Sequence, residues 1–197
     1  LRWVNQLPLE QLVYPSAQHS RFEHSLGTMH LAGIAAESLI RNSPARFREA
    51  CTNHPSFSRL DQGDQARLFV RCARWAGLLH DLGHAPFSHT FEDACTFSAK
   101  ESIAYQHEYY GFFLSRQVVE EIGEAASGMT STVLNVLNKN ILLSDLYPPE
   151  MLIRRIIDGP MDVDKGDYLP RDSYHSGVNY GIYDRQFLWE NVIITEN

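Results

Sequence analysis

Leu68, Cys72, Trp75, Leu79 and Leu82 stand four, three, four and three residues apart, a spacing that lines one face of an α-helix and no face of a strand. The stripe predicts a helix whose apolar side packs in a core. Gly83 ends it and Pro86 bars its continuation, which puts His80 and Asp81 in its final turn, beside a sharp change of chain direction. The same stepping runs from about Phe22 to Ile40, and Ser43-Pro44 then supplies a stop. Asn53 to Gly63 is polar, holds Pro55 and Gly63, and reads as a surface loop. Further helices are predicted around 101–123, 130–140 and 149–158, with Ser127-Gly128 and Pro148-Pro149 as punctuation. Residues 179–183 and 192–194 are compatible with small strands or with loops. Without repeats or a succession of strands, the chain is expected to be mostly α.

At 197 residues the chain has the length of one domain that can bury a core without disulfides or a structural metal. No apolar stretch approaches the roughly 20 residues that cross a bilayer, so a soluble protein with no membrane partner is expected. Cys51, Cys72 and Cys95 are an odd number with no CxxC spacing, which argues against a disulfide framework or a zinc finger and predicts a reducing, cytoplasmic compartment. A net charge of −7 argues against an electrostatic grip on a nucleic acid polymer. A small, metal-neutralised anion remains compatible with it.

Adjacent His80 and Asp81 offer an imidazole and a carboxylate from one rigid helix end, both able to bind a divalent cation. Alone the pair means little, because a histidine at a helix C-terminus beside a solvated aspartate gives the same letters. His84 and His89 follow in HDLGHAPFSHTFE, and His24 lies upstream in RFEHSLG. Buried imidazoles need partners for both ring nitrogens, so such clustering points to a shared metal or anion. Asp164, Tyr168 and Asp172, at i, i+4 and i+8, fall on one helix face. By itself that face reads as solvated and acidic.

RFEHSLG, HDLGHAPFSH and DVDKGDYLPRD resemble, in order and spacing, the successive H, HD and D motifs of the HD-domain deoxynucleoside triphosphate triphosphohydrolases. The likeness runs from Gln6 to about Gly177. It implies a mostly helical HD fold in which His24, His80, Asp81 and Asp164 hold one divalent transition metal, Fe, Mn, Ni or Zn, with Mg also suited to the site. It further implies that His89 is a general acid assisted by Glu92 and His107, that His84 contacts the phosphate chain, that Arg21 and Lys165 bind phosphate, and that Gln6, Leu7, Tyr168 and Asp172 meet the sugar. A nucleotide substrate and a homo-oligomer follow from the same resemblance.

The chain departs from that pattern at Gly166, where many relatives carry a large aromatic residue, at Pro170, which should remove a backbone donor and kink the helix, and at Glu92, where an aspartate is common. It also stops before a downstream segment that supplies further nucleotide contacts in relatives. With LRWVNQLPLE lacking both an initiator Met and a signal-peptide layout, the expectation is a single HD domain over 1–197, truncated on its C-terminal side and at its N-terminus. The expected reaction converts a deoxynucleoside triphosphate to deoxynucleoside and tripolyphosphate. Alternatives are a phosphohydrolase for a nucleoside monophosphate, cyclic nucleotide or alarmone, and a nucleotide-binding regulatory module.

Overall fold

The computed structural model describes residues 1–98, 106–122 and 127–195, and among these the regular structure is helical apart from one isolated bridge between Asn5 and Ser20. The helices are α1 (Arg21–Asn42), α2 (Pro44–Cys51), α3 (Gln62–Leu79), α4 (Ser88–Ser98), α5 (His107–Ile122), α6 (Ser127–Leu137), α7 (Pro148–Ile157), α8 (Val163–Ser176) and α9 (Arg185–Glu190). The mostly α expectation holds. Among the described residues no helix is long and apolar enough to cross a membrane.

Helix α1 starts at a capping box: the Ser20 hydroxyl accepts from the Glu23 N–H while the Glu23 carboxylate accepts from the Ser20 N–H. That cap fixes Arg21 and His24 in the first turn. Leu31, Ala32, Ala35 and Leu39 of α1 pack against Phe69, Cys72, Ala73 and Ala76 of α3, with Ile153 and Val163 in the same core. Small residues along both helices let them pack closely. Cys51 and Cys72 are buried free thiols, and burial pushes both up to about 12, which keeps them protonated.

Several predicted boundaries move. α3 stops at Leu79, so His80 is its C-cap and Asp81 lies in the turn beyond rather than in the last helical turn. Its start reaches back to Gln62 because the Asp61 carboxylate caps the Asp64 N–H, taking Gly63 out of the predicted loop. Ser43-Pro44 ends α1 yet begins α2, since proline fits the first helical position. Ser127-Gly128 likewise opens α6 instead of preceding it. The helix expected over 101–123 is seen as α5, and 101–105 and 123 lie outside the described residues. Residues 179–183 and 192–194 form no strand, and between them α9, unforeseen, is capped by Asp184.

α8 runs through Pro170 without interruption. The missing proline N–H would have bonded the carbonyl of Gly166, and the Tyr183 hydroxyl donates to that carbonyl instead at 2.6 Å. Tyr183 in turn accepts from Trp189 Nε1 at 2.9 Å. The Trp189 ring lies so close to Gly166 that an added Cβ would sit 2.4 Å from it. Two apparent departures of the sequence are therefore linked, because the glycine makes room for an indole that helps to satisfy the backbone the proline leaves open.

Candidate functional site

His24 from the first turn of α1, His80 at the end of α3 and Asp164 from the first turn of α8 converge, each offering one ligand atom within 4.8 Å of the others. Asp164 Oδ1 is 3.0 Å from His24 Nε2 and 3.6 Å from His80 Nε2. Asp81 borders this trio at 3.4 Å from His80 Nε2 and 3.6 Å from His24 Nε2, but its carboxylate is also engaged by the Arg21 guanidinium. All four predicted ligands are thus neighbours, with Asp81 drawn toward Arg21.

The far ring nitrogens are the ones already occupied. His24 Nδ1 is 2.9 Å from Asp167 Oδ2, and His80 Nδ1 donates to the Gly77 carbonyl at 2.8 Å. Both Nε2 atoms are buried, face the carboxylates and make no hydrogen bond of acceptable direction. This is the arrangement a metal-binding imidazole requires, with one nitrogen held by an acceptor and the other left for the cation. Two imidazoles and two carboxylates suit a divalent transition metal, so the residues present fit such an ion.

Charge in the cluster is balanced by its own members. Burial alone would lower the His24 pKa, but Asp164, Asp167 and Asp81 outweigh it and raise it to about 9. Burial would raise Asp164, yet His24 and His80 hold its carboxyl far below the ordinary range. His84 behaves oppositely: burial, reinforced by Arg21, His107 and His89, lowers it to about 3 despite Asp81. It is a neutral imidazole near pH 7.

A second group surrounds Glu92. Its carboxylate takes His89 Nδ1 at 2.8 Å through one oxygen, and through the other both the ring Nδ1 and the backbone N–H of His107, each at 2.7 Å. Burial would raise the Glu92 pKa, but these bonds outweigh it and hold it below its usual value. His84 stacks on His107 with centroids 3.8 Å apart, and His89 stands edge-on to both. His89 and His107 each spend Nδ1 on Glu92, whereas His84 Nδ1 is buried without a partner.

Both groups border one cavity of about 350 Å³, lined by Gln6, Pro8, Arg21, Asp81, His84, Ser88, His89, Asp164, Tyr168 and Asp172 among others. Phe87 and Ser88 at its wall have positive φ, 69° and 49°, a strained conformation for non-glycine residues and one that concentrates at functional sites. Ser88 there accepts a hydrogen bond from Arg21. Leu7 is half-buried between two lining residues. Lys165 stands apart: its Nζ binds Asp162 and the Gly159 carbonyl, and it lines a different, apolar cavity with Tyr183 and Trp189.

Sequence reasoning missed Asp167 and Arg171. Asp167 is buried, accepts from His24 and is itself held by Arg171 Nε at 2.7 Å and a terminal nitrogen at 2.9 Å. Gly27 is what lets α1 and α8 meet here, because a Cβ at that position would fall 1.9 Å from Asp167 Oδ1. The signal available was indirect: a metal-binding histidine needs an acceptor for its second nitrogen, and Asp167 is three residues from Asp164.

A family model described as the HD domain matches residues 21–169. An uncharacterised protein of Methanocaldococcus jannaschii is 35% identical over 184 residues, 93% of this chain and 30% of that protein. The deoxynucleoside triphosphate triphosphohydrolase SAMHD1 of Danio rerio is 29% identical over 95% of this chain and 31% of its own length. A crystal structure of a phosphohydrolase from Bacteroides thetaiotaomicron superposes with a TM-score of 0.70 at 26% identity, covering 100% of this chain and 40% of that one. The chain spans well under half the length of these relatives.

Proposed function

The chain belongs to the HD-domain family, and from that premise we propose that it is a metal-dependent phosphohydrolase acting on deoxynucleoside triphosphates and releasing deoxynucleoside and tripolyphosphate. One observation carries the reading: a single cavity is bordered by the predicted metal ligands Asp81 and Asp164, the predicted proton donor His89 and the predicted sugar contacts Gln6, Tyr168 and Asp172. The likeness to a triphosphohydrolase over 95% of the chain supports it.

A divalent cation held by His24, His80, Asp81 and Asp164 would supply an acidified water and neutralise phosphate oxygens, the two needs of phosphoester hydrolysis. Arg21, buried at the wall, brings a guanidinium to the α-phosphate. Breaking the bond between Pα and O5′ leaves an alkoxide that needs a proton. As an imidazolium His89 carries a proton on each nitrogen: Nδ1–H donates to the Glu92 carboxylate, itself fixed by His107, and Nε2–H is the proton delivered to O5′. His84, neutral and buried beside Asp81, offers a hydrogen bond to phosphate without adding charge. Tyr168 packs beneath the sugar and disfavours a 2′-hydroxyl, and Asp172 accepts from the remaining hydroxyl.

The Lys165 contacts favour a second reading. With Nζ engaged by Asp162 and away from the cavity, there is one less cation for a long phosphate chain, as a nucleoside monophosphate or cyclic nucleotide substrate would require. Chromatography of products from a panel of ribo- and deoxyribonucleotides separates the two. Tripolyphosphate and deoxynucleoside as first products support the proposal. Pyrophosphate or orthophosphate released first from triphosphates, or equal rates on ribonucleotides, would sink it.

A further inference from the structure

Asp172 is not free to choose its direction. Its Oδ1 lies 2.8 Å from Nε2 of His19, whose side chain is fully buried. The ring of His19 is stacked on His175, centroids 4.4 Å apart and planes 22° from parallel, and Ser16 donates to the carbonyl of His175. His19 Nδ1 has no partner, so the ring proton belongs on Nε2, where Asp172 accepts it. The backbone of the same residue reaches a second lining residue of the cavity: its carbonyl accepts from the Gln6 N–H at 2.9 Å. Gln6 Oε1 is buried and unpartnered, and among the described residues Asp172 Oδ2 has no side-chain or backbone donor. One histidine thus holds the Asp172 carboxylate through its ring and the Gln6 backbone through its carbonyl, and both residues line the cavity with unused acceptor capacity.

We propose that His19 is a positioning residue that aims the Asp172 carboxylate and Gln6 at the sugar hydroxyl of the substrate. The inference rests on the reading of the cavity as a deoxynucleotide site. A 2′-deoxynucleoside 5′-triphosphate has one free sugar hydroxyl, at C3′, so Asp172 Oδ2 receives the 3′-OH while His19 occupies Oδ1. Without the histidine the carboxylate gains rotational freedom and loses the orientation that makes the contact selective.

The test uses the metal-loaded protein and steady-state kinetics with a deoxynucleoside triphosphate and its 2′,3′-dideoxy analogue. His19→Phe keeps a ring against His175 and the backbone bond to Gln6 but deletes the donor. It is expected to raise KM for the deoxynucleotide on the order of tenfold, with kcat and metal content held. On the dideoxynucleotide, which lacks the hydroxyl, the change should stay within about twofold, since the coupled partner is already gone. His19→Gln, whose amide nitrogen reaches the place of Nε2, should recover most of the loss. His19→Asn, whose amide is too short, should not, and this pair decides the matter if the Phe variant fails to fold. Equal losses on both nucleotides, or no difference between Gln and Asn, would overturn the role of His19 while leaving the substrate reading intact. If the wild-type protein cleaves ribonucleotides and deoxynucleotides alike, or no nucleotide at all, the substrate reading falls and takes this inference with it.

Discussion

Replacing Asp167 by Asn tests whether the site is set up by the residues behind the ligands. The wild-type carboxylate takes three hydrogen bonds, one from His24 Nδ1 at 2.9 Å and two from Arg171 at 2.7 and 2.9 Å. An amide of the same shape has one oxygen for these donors and turns its NH₂ against either His24 or Arg171. His24 Nδ1 and Arg171 Nε share Oδ2, so an amide oxygen kept there sets its NH₂ against the terminal nitrogen of Arg171 and loosens that clamp, and the neutral amide no longer favours the imidazole as a ligand. Loss of an outer partner of a metal-binding histidine costs about 10–100-fold in metal affinity, or about 1.4–2.7 kcal/mol. Titration calorimetry with Mn²⁺ or Zn²⁺ on metal-stripped protein measures it directly, with a melting curve to verify folding. Gly27→Ala should act in the same direction, because its Cβ would displace Asp167. Affinity within about twofold of wild type in a folded Asp167→Asn protein would show that His24 needs no such support, and the account of its orientation would be wrong.

His89→Ala should retain metal and substrate binding while kcat drops about 10²–10⁴-fold, the usual worth of a general acid; single-turnover kinetics read this, and metal loss would move His89 among the ligands. Because His24 in the metal-free site is raised to about 9, it is protonated below that pH, and cation uptake must displace the Nε2 proton. Metal affinity should therefore fall as pH drops, by about tenfold per unit below the pKa, and a flat profile between pH 6 and 8, taken as a range of about two units, would contradict the raised value. Tyr183→Phe removes the hydroxyl that replaces the missing N–H of Pro170, leaving the Gly166 carbonyl without that donor and Trp189 Nε1 without its acceptor. Thermal unfolding should show a loss of about 1–3 kcal/mol, and an unchanged Tm would mean that water serves the carbonyl equally well.

Local patterns were legible in the sequence and long-range ones were not. The stripe from Leu68 to Leu82 predicted α3, and the buried stripe of α1 was equally visible, because burial on one face imposes its own periodicity. The end of α3 was misjudged by the same logic: Leu82 continues the spacing, although the chain has already left the helix at His80. Short α9 carries too few residues to reveal a period, and its start depends on a single cap at Asp184. The pairing of His24 with Asp167 spans 143 residues and that of His19 with Asp172 spans 153. No local spacing encodes either. The resemblance places Lys165 among the phosphate contacts, whereas Asp162, the α8 cap three residues earlier, engages its ammonium group here, a contact that the resemblance does not reveal.

On the proposed reading, hydrolysis depends on one divalent metal held by His24, His80, Asp81 and Asp164. Elemental analysis of the protein purified without chelator, beside His80→Ala, Asp81→Ala and Asp164→Ala, tests it most directly. The account predicts about one transition-metal ion per chain in the wild type, loss of that ion in each variant, and loss of phosphohydrolase activity in parallel. Full metal occupancy in folded Asp81→Ala and Asp164→Ala proteins, or undiminished turnover by metal-free wild-type protein, would contradict it.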